Sequence, residues 1–274
     1  MTSDPVIDPQ TASYPLRLLD VRDADSFAAG HALGAVRVPI EAWVTAARTQ
    51  EGGLENTAHW ATALDPLGIG PDGVAGIYDD GRMIEAARVW FILQYFGVPA
   101  VILNGGWPAV QAAGLTSADQ DPRAIGLKPD SGRVGLMDRA RLKAELDSET
   151  VFDSRTEAEH LGHDLKANAR GGHLPGAVLL PHADLLEGTY LRPPADLRAR
   201  LEAAGFTPGR PITTHCDGGG RAALAAVAAL QAGFAPVSVY YLSFSDWAAD
   251  ETCPVNLPDC HEEAAHQTGS NRRE

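Results

Sequence analysis

Short apolar runs alternate along this chain with longer stretches in which apolar residues recur every three or four positions. The short runs, bounded by Gly, Pro and Asp, predict β-strands over residues 16–21, 35–38, 74–78 and 100–103, and again over 150–153, 177–180, 211–215 and 237–241. The helical spacing is clearest over 82–96 and 220–232, each followed by a glycine, Gly97 or Gly233. Trp90, Phe91, Tyr95 and Phe96 fall on the first of these helices and are expected to be core. Strands that alternate with helices predict an α/β fold, a mostly parallel sheet flanked by helices.

The strands come in two sets because the chain repeats itself. Leu19-Asp20-Val21-Arg22 lies over Phe152-Asp153-Ser154-Arg155, and Gly30-His31-Ala32-Leu33-Gly34-Ala35-Val36 over Gly172-His173-Leu174-Pro175-Gly176-Ala177-Val178. Pro39 and Pro181 are then in register. Ile77-Tyr78-Asp79-Asp80-Gly81 matches Thr214-His215-Cys216-Asp217-Gly218, and Trp107 matches Phe244. Two domains follow, 1–118 and 137–258, joined by a linker at 119–136 within an Asp-, Pro- and Gly-rich stretch, with a polar tail at 259–274. A length of 274 residues suits two such domains.

Composition narrows the function. The net charge of −14 argues against a nucleic-acid partner, because phosphate binding needs clustered Lys and Arg. No apolar run is long enough to span a membrane, and the first residues lack the pattern of a secretory signal, so a cytoplasmic monomer is expected. Three cysteines, Cys216, Cys253 and Cys260, are too few for a disulfide framework and leave free thiols for chemistry.

Cys216 stands where an apolar strand runs into Asp217, Gly218, Gly219, Gly220 and Arg221 and then a helix. Glycines permit a turn whose amides point inward as an anion-binding nest, and the following helix adds the positive end of its dipole. Both favour a thiolate at Cys216, with the thiol exposed at the mouth of the ring of amides. Arg221 adds positive charge, whereas Asp217 works against a second anion. A buried structural thiol is the bland alternative.

These residues resemble the tandem-domain rhodaneses, the thiosulfate and 3-mercaptopyruvate sulfurtransferases. The resemblance spans nearly the whole chain: both Asp-x-Arg strand ends, both Gly-His-x-x-Gly-Ala segments, the loop from Cys216 to Arg221, and Asp79 in place of the first-copy cysteine. It implies two tandem rhodanese-like domains, the first catalytically degenerate. Cys216 would take a sulfane sulfur from a small anionic donor, thiosulfate ahead of 3-mercaptopyruvate, and pass it to a thiol, cyanide or a thioredoxin-like protein. The amides of Asp217 to Arg221 would hold the persulfide and the donor's anionic end, and Arg170, matching a family arginine, would assist. Arg221→Ala is then expected to raise the donor's KM more than it lowers kcat. No cofactor is implied. The chain departs from the family at Glu159, where an arginine is usual, at Asp217, and at Tyr241-Leu242-Ser243-Phe244.

Other readings carry less. Related phosphatases and arsenate reductases place five residues between Cys and Arg, and here four intervene. A non-catalytic sulfur carrier or binding module stays open, because Asp217 and Glu159 would weaken donor binding. His215 adjoins the nucleophile on a strand and so points to the other face, as a structural histidine. His31 and His173 recur in both copies and are expected to close turns. Asp79 and Asp80 are read as a dead loop. Cys253, Cys260, His261 and His266 match no metal-site spacing, so no metal is expected, although Cys253 could act as a resolving thiol.

Overall fold

The computed structural model describes residues 4–49, 51–119 and 126–257. The first copy holds strands β1 (Val6–Ile7), β2 (Arg17–Asp20), β3 (Val36–Arg37), β4 (Ala75–Tyr78) and β5 (Ala100–Leu103). Its helices are α1 (Ala24–Ala29), α2 (Ile40–Ala46), α3 (Thr57–Leu64), α4 (Ile84–Tyr95) and α5 (Gly106–Ala113). The second copy holds β6 (Val134–Met137), β7 (Thr150–Asp153), β8 (Val178–Leu179), a two-stranded ribbon of β9 (Leu186–Glu187) and β10 (Tyr190–Leu191), then β11 (Ile212–His215) and β12 (Val237–Tyr240). Its helices are α6 (Arg139–Glu145), α7 (Glu157–His160), α8 (Pro194–Ala204), α9 (Gly220–Gln231) and α10 (Ser243–Ala249).

The repeat is visible in the topology. One five-stranded sheet runs β1-β5-β4-β2-β3 and the other β6-β12-β11-β7-β8, the same order in the same sequence positions. All pairs in both sheets are parallel. Each of the eight expected strands is present, two of them, β5 and β7, with the expected bounds and the others one or two residues shorter. The edge strands β1 and β6 are additions. β6 contains Val134 and Gly135, so the end of the expected linker is an edge strand of the second sheet. Residues 259–274, the expected tail, lie outside the described residues.

Alternation along each strand decides which core it feeds. In the first sheet Leu19, Ile77 and Ile102 join a cluster with α4, while Leu18, Tyr78 and Val101 face Trp107 and Val110 on the other side. In the second, Phe152, Ile212 and Val239 face α9, while Val151, Met137 and Tyr240 face Trp247 of α10. The inner faces of both sheets therefore meet one shared core, in which α4 packs against α9. Trp90, Phe91, Tyr95 and Phe96 are buried in it, as their spacing predicts. Buried Gln94 of α4 crosses the seam, donating to Val134 O at 3.0 Å and accepting the amides of Arg133 and Val134 at 2.8 and 3.1 Å. The seam is as apolar and hydrogen-bonded as a domain interior, which makes the two copies one packing unit.

Candidate active site

Cys216 is the first residue beyond β11, at the carboxyl end of a central parallel strand, where open α/β sheets place their ligands. The turn to α9 is tight. Gly219 has φ +95°, and a Cβ built on it would lie 2.5 Å from the carbonyl oxygen of Tyr241, so only glycine fits. This conformation aims the Gly219 N–H at Cys216 Sγ, 3.0 Å away. α9 begins at Gly220, so its amino-terminal dipole end lies directly behind the loop. From the other side, Ser243 Oγ accepts the Cys216 N–H at 3.1 Å, donates to Tyr240 O at 2.8 Å and lies 3.8 Å from the sulfur. Ser243 is a fully buried non-glycine residue at φ 62°, a conformation that costs about 1 kcal/mol or more and is found where a side chain must be held in place. Its counterpart in the first copy is Gly106, at φ 61°.

Several expectations are corrected here. Cys216 does not stand exposed at a mouth: it is 1% exposed. The ring of five amides reduces to one, since among the described residues Gly219 supplies the only backbone N–H within hydrogen-bond distance of the sulfur. Arg221 is not a free cation. Its Nη1 and Nη2 meet Glu159 Oε2 and Oε1 at 2.6 and 2.7 Å in a two-pronged pair, and Glu159 is 1% exposed. Burial would raise the Glu159 carboxyl, but Arg221 and the Thr156 cap hold it down at about 2. Arg170 lies elsewhere: its guanidinium donates to the carbonyls of Trp247, Ala248, Asp250 and Cys253 and caps the carboxyl end of α10. Asp217 accepts from Asn168 Nδ2 at 2.7 Å, and Gly218 and Gly220 lie against arginines of the first domain.

Those arginines escaped the sequence reading. Arg88 of α4, buried, donates to Gly218 O at 2.8 Å and to Tyr241 Oη at 3.1 Å, and its Nε pairs with Glu85 at 2.7 Å. Burial opposes its charge, but Tyr241 and Glu85 keep it protonated. Arg48, just past α2, donates to Ser245 Oγ at 3.0 Å and lies against Gly218. No local pattern marks either residue, because each meets the loop only through the packing of one copy on the other.

The shared motifs hold the scaffold. Arg22 grips Asp20 and the Gly30 carbonyl, and Arg155 grips Asp153 and the Gly172 carbonyl. Trp107 and Phe244 stack on these two guanidiniums at 4.6 and 4.0 Å, so the aligned pair serves one purpose twice. His31 Nδ1 donates to Phe27 O and its ring stacks on Phe27. His173 does the same with His160, closing the turn in each copy. His215 is fully buried, 3.7 Å from Asp153, and burial pushes its ring down to about 4, so it is a neutral core histidine. In the first copy Asp79 takes the cysteine's place: Gly81 N–H reaches its Oδ1 at 2.8 Å, and burial raises its carboxyl. Cys253 is buried in the outer core with Tyr240 and Trp247, away from the cluster that holds Cys216, and burial raises its thiol. Cys260, His261 and His266 lie outside the described residues. Among the described residues no three His, Cys, Asp or Glu side chains gather to hold a metal, and no helix is long and apolar enough to cross a membrane.

Comparison with known proteins places these features in context. The rhodanese-like domain family matches residues 5–113 and 138–250. A thiosulfate sulfurtransferase of Azotobacter vinelandii is 31% identical over 258 residues, 88% of this chain and 91% of that protein. A 3-mercaptopyruvate sulfurtransferase of Escherichia coli K12 is 27% identical over 241 residues, covering 85% of each. Among solved structures, the anaerobic ergothioneine biosynthesis enzyme of Chlorobium limicola, in complex with trimethyl histidine, superposes with a TM-score of 0.78 over 93% of this chain and 70% of that one. At 20% identity, that likeness is one of fold.

Proposed function

Because the chain belongs to the rhodanese family, with two such domains in tandem, and is a sulfurtransferase of that type, we propose that it moves sulfane sulfur from thiosulfate through a persulfide on Cys216. The observation that carries this reading is the Gly219 N–H held 3.0 Å from Cys216 Sγ at the amino terminus of α9. A fixed amide and a helix dipole stabilise negative charge on sulfur without reorganising during the reaction.

In the first step the Cys216 thiolate attacks the outer sulfur of thiosulfate. The new bond joins the two sulfurs, the bond to the sulfonate sulfur breaks, and its electron pair leaves with sulfite. The negative charge moves one atom outward on the persulfide. In the second step a thiolate, cyanide or the thiol of a thioredoxin-like protein takes that outer sulfur, and the electron pair returns to Cys216. No cofactor takes part in either step. With Cys216 1% exposed, the loop and its cover must give way as the donor arrives. 3-Mercaptopyruvate is the second candidate donor, supported by the similarity to the E. coli enzyme. Phosphoryl chemistry is disfavoured because only four residues, in place of five, separate Cys216 from Arg221, and Arg221 is engaged by Glu159.

The test is direct. Purified protein is incubated with thiosulfate and cyanide, with 3-mercaptopyruvate and a thiol, or with an aryl phosphate, and thiocyanate, pyruvate and phenol are measured. Thiosulfate should produce thiocyanate, and intact mass should show one added sulfur. Cys216→Ser should lose both. Full turnover in that variant overturns the mechanism, and loading without turnover would identify a carrier.

A further inference from the structure

The inference concerns how the Cys216 site holds an anionic donor, and it rests on the sulfur-transfer reading above. The arginines considered so far, Arg48 apart, are all engaged. Arg221 pairs with Glu159, Arg155 with Asp153 and Arg88 with Glu85, while Arg170 caps α10. Three are neutralised by carboxylates, and the guanidinium of Arg170 is taken up by the carbonyls at the end of α10.

Arg48 differs. It follows α2, whose Ile40 and Trp43 are buried in the shared core together with the C-cap residue Ala47, so the helix end is anchored and the next side chain is carried toward the other domain. The side chain is exposed, and among the described residues no carboxylate pairs with it. One of its N–H groups is used by Ser245 Oγ. A Cβ placed on Gly218 would lie 2.5 Å from Arg48 Nη2, so the guanidinium rests directly on the loop, two residues and at most about 7 Å of backbone from Cys216. Ser245 is itself fixed to the loop by its amide, which donates to Asp217 O at 3.1 Å. Asp217, the acidic neighbour that would compete for Arg48, is held by Asn168.

The repeat provides an internal control. In the first copy the residue equivalent to Gly218 is Gly81, and what lies against it is Thr189, with Tyr190 against Gly105. Those two residues belong to the segment after β8 of the second copy. In each direction, then, the segment after the third strand crosses the seam and closes the other copy's loop. Against Gly81 of the degenerate Asp79 loop it brings a methyl group, and against Gly218 of the Cys216 loop a guanidinium.

We propose that Arg48 is the donor-binding cation of the Cys216 site, that it holds the oxyanion end of the donor across the domain seam, and that the second domain alone is an incomplete site. A guanidinium has five N–H donors in a planar fork that matches a sulfonate or carboxylate edge. With one donor on Ser245, the rest are available to the anion.

The experiment compares the wild type with Arg48→Ala and Arg48→Lys, with thiosulfate as donor and cyanide as acceptor. Arg48→Ala should raise the thiosulfate KM by about tenfold with kcat within about twofold, and should weaken the rise of KM with salt. Arg48→Lys, which keeps the charge and loses the fork, should recover part of the loss. Unchanged KM in Arg48→Ala, or a fall in kcat alone, overturns the proposal. Titration calorimetry of thiosulfate into Cys216→Ser, with and without Arg48→Ala, separates this idea from the functional reading. Binding that Arg48→Ala weakens about tenfold supports the site even if the wild type does not turn over. Equal binding to both proteins, or none to either, overturns it.

Discussion

Glu159, where the chain departs from the family pattern, and Arg221 at the end of the loop form one pair. The Glu159 carboxylate takes both Arg221 nitrogens, and the pair as a whole carries no net charge. This revises the expectation for Arg221→Ala. Removing the arginine leaves a 1% exposed carboxylate without its partner, so unfolding free energy should fall by about 3 kcal/mol. Urea denaturation measures this, and a pure KM effect at full stability would contradict the pairing. His215 gives a second test at this scale. Burial holds its folded pKa near 4 against an ordinary 6.5, so between those values the unfolded chain binds the extra proton. Stability must therefore fall as pH drops from 6.5 toward 4, by at most about 1.4 kcal/mol per pH unit for each such group. His173 and His182, also lowered chiefly by burial, add the same sign. Urea unfolding at pH 6.5, 5.5 and 4.5 should decline less steeply in His215→Gln than in the wild type, and parallel curves would remove the assignment.

At the scale of the element, the strand, loop and helix around Cys216 were legible because their causes are local. An apolar strand, a run of glycines and an alanine-rich helix leave few alternatives, and the structure places β11, the turn and α9 where that pattern predicts. The edge strands were not legible. Val6–Ile7 is two residues long between prolines, and Val134–Met137 includes a glycine, so both depend on the neighbouring strand for their pairing. The loop's geometry yields its own prediction. A methyl group on Gly219 would collide with the Tyr241 carbonyl, and the residue's φ is left-handed. Gly219→Ala should therefore cost about 2 kcal/mol or more and turn the amide away from the sulfur. Thermal denaturation should show the loss of stability and intact mass a loss of sulfur loading. Full loading in this variant would mean that the amide is dispensable.

For the whole molecule, the decisive feature is that the two copies share one core. Phe91 of the first stacks on Tyr241 of the second at 5.9 Å, and Gln94 bonds across the seam to Val134. Two domains joined only by a linker would melt separately, whereas these should unfold in one transition. Near-ultraviolet circular dichroism and alkylation of Cys216 should report the same midpoint. Phe91→Ala should lower that common midpoint by an amount equivalent to about 3–5 kcal/mol, although Cys216 lies in the other copy. Two separated transitions in the wild type would refute this account.

The sequence alone determined the repeat, the α/β class, the strand that delivers Cys216 and the glycine turn after it, because each follows from spacing within a few residues or from one half compared with the other. Tertiary structure decided which charges face the sulfur. Arg221 is neutralised by a residue 62 positions away, Arg170 is drawn to the end of another helix, and Arg88 and Arg48 arrive from the opposite domain. The reason is physical. Local backbone preference acts over a turn or a strand, whereas the pairing of charges depends on which surfaces the core brings together.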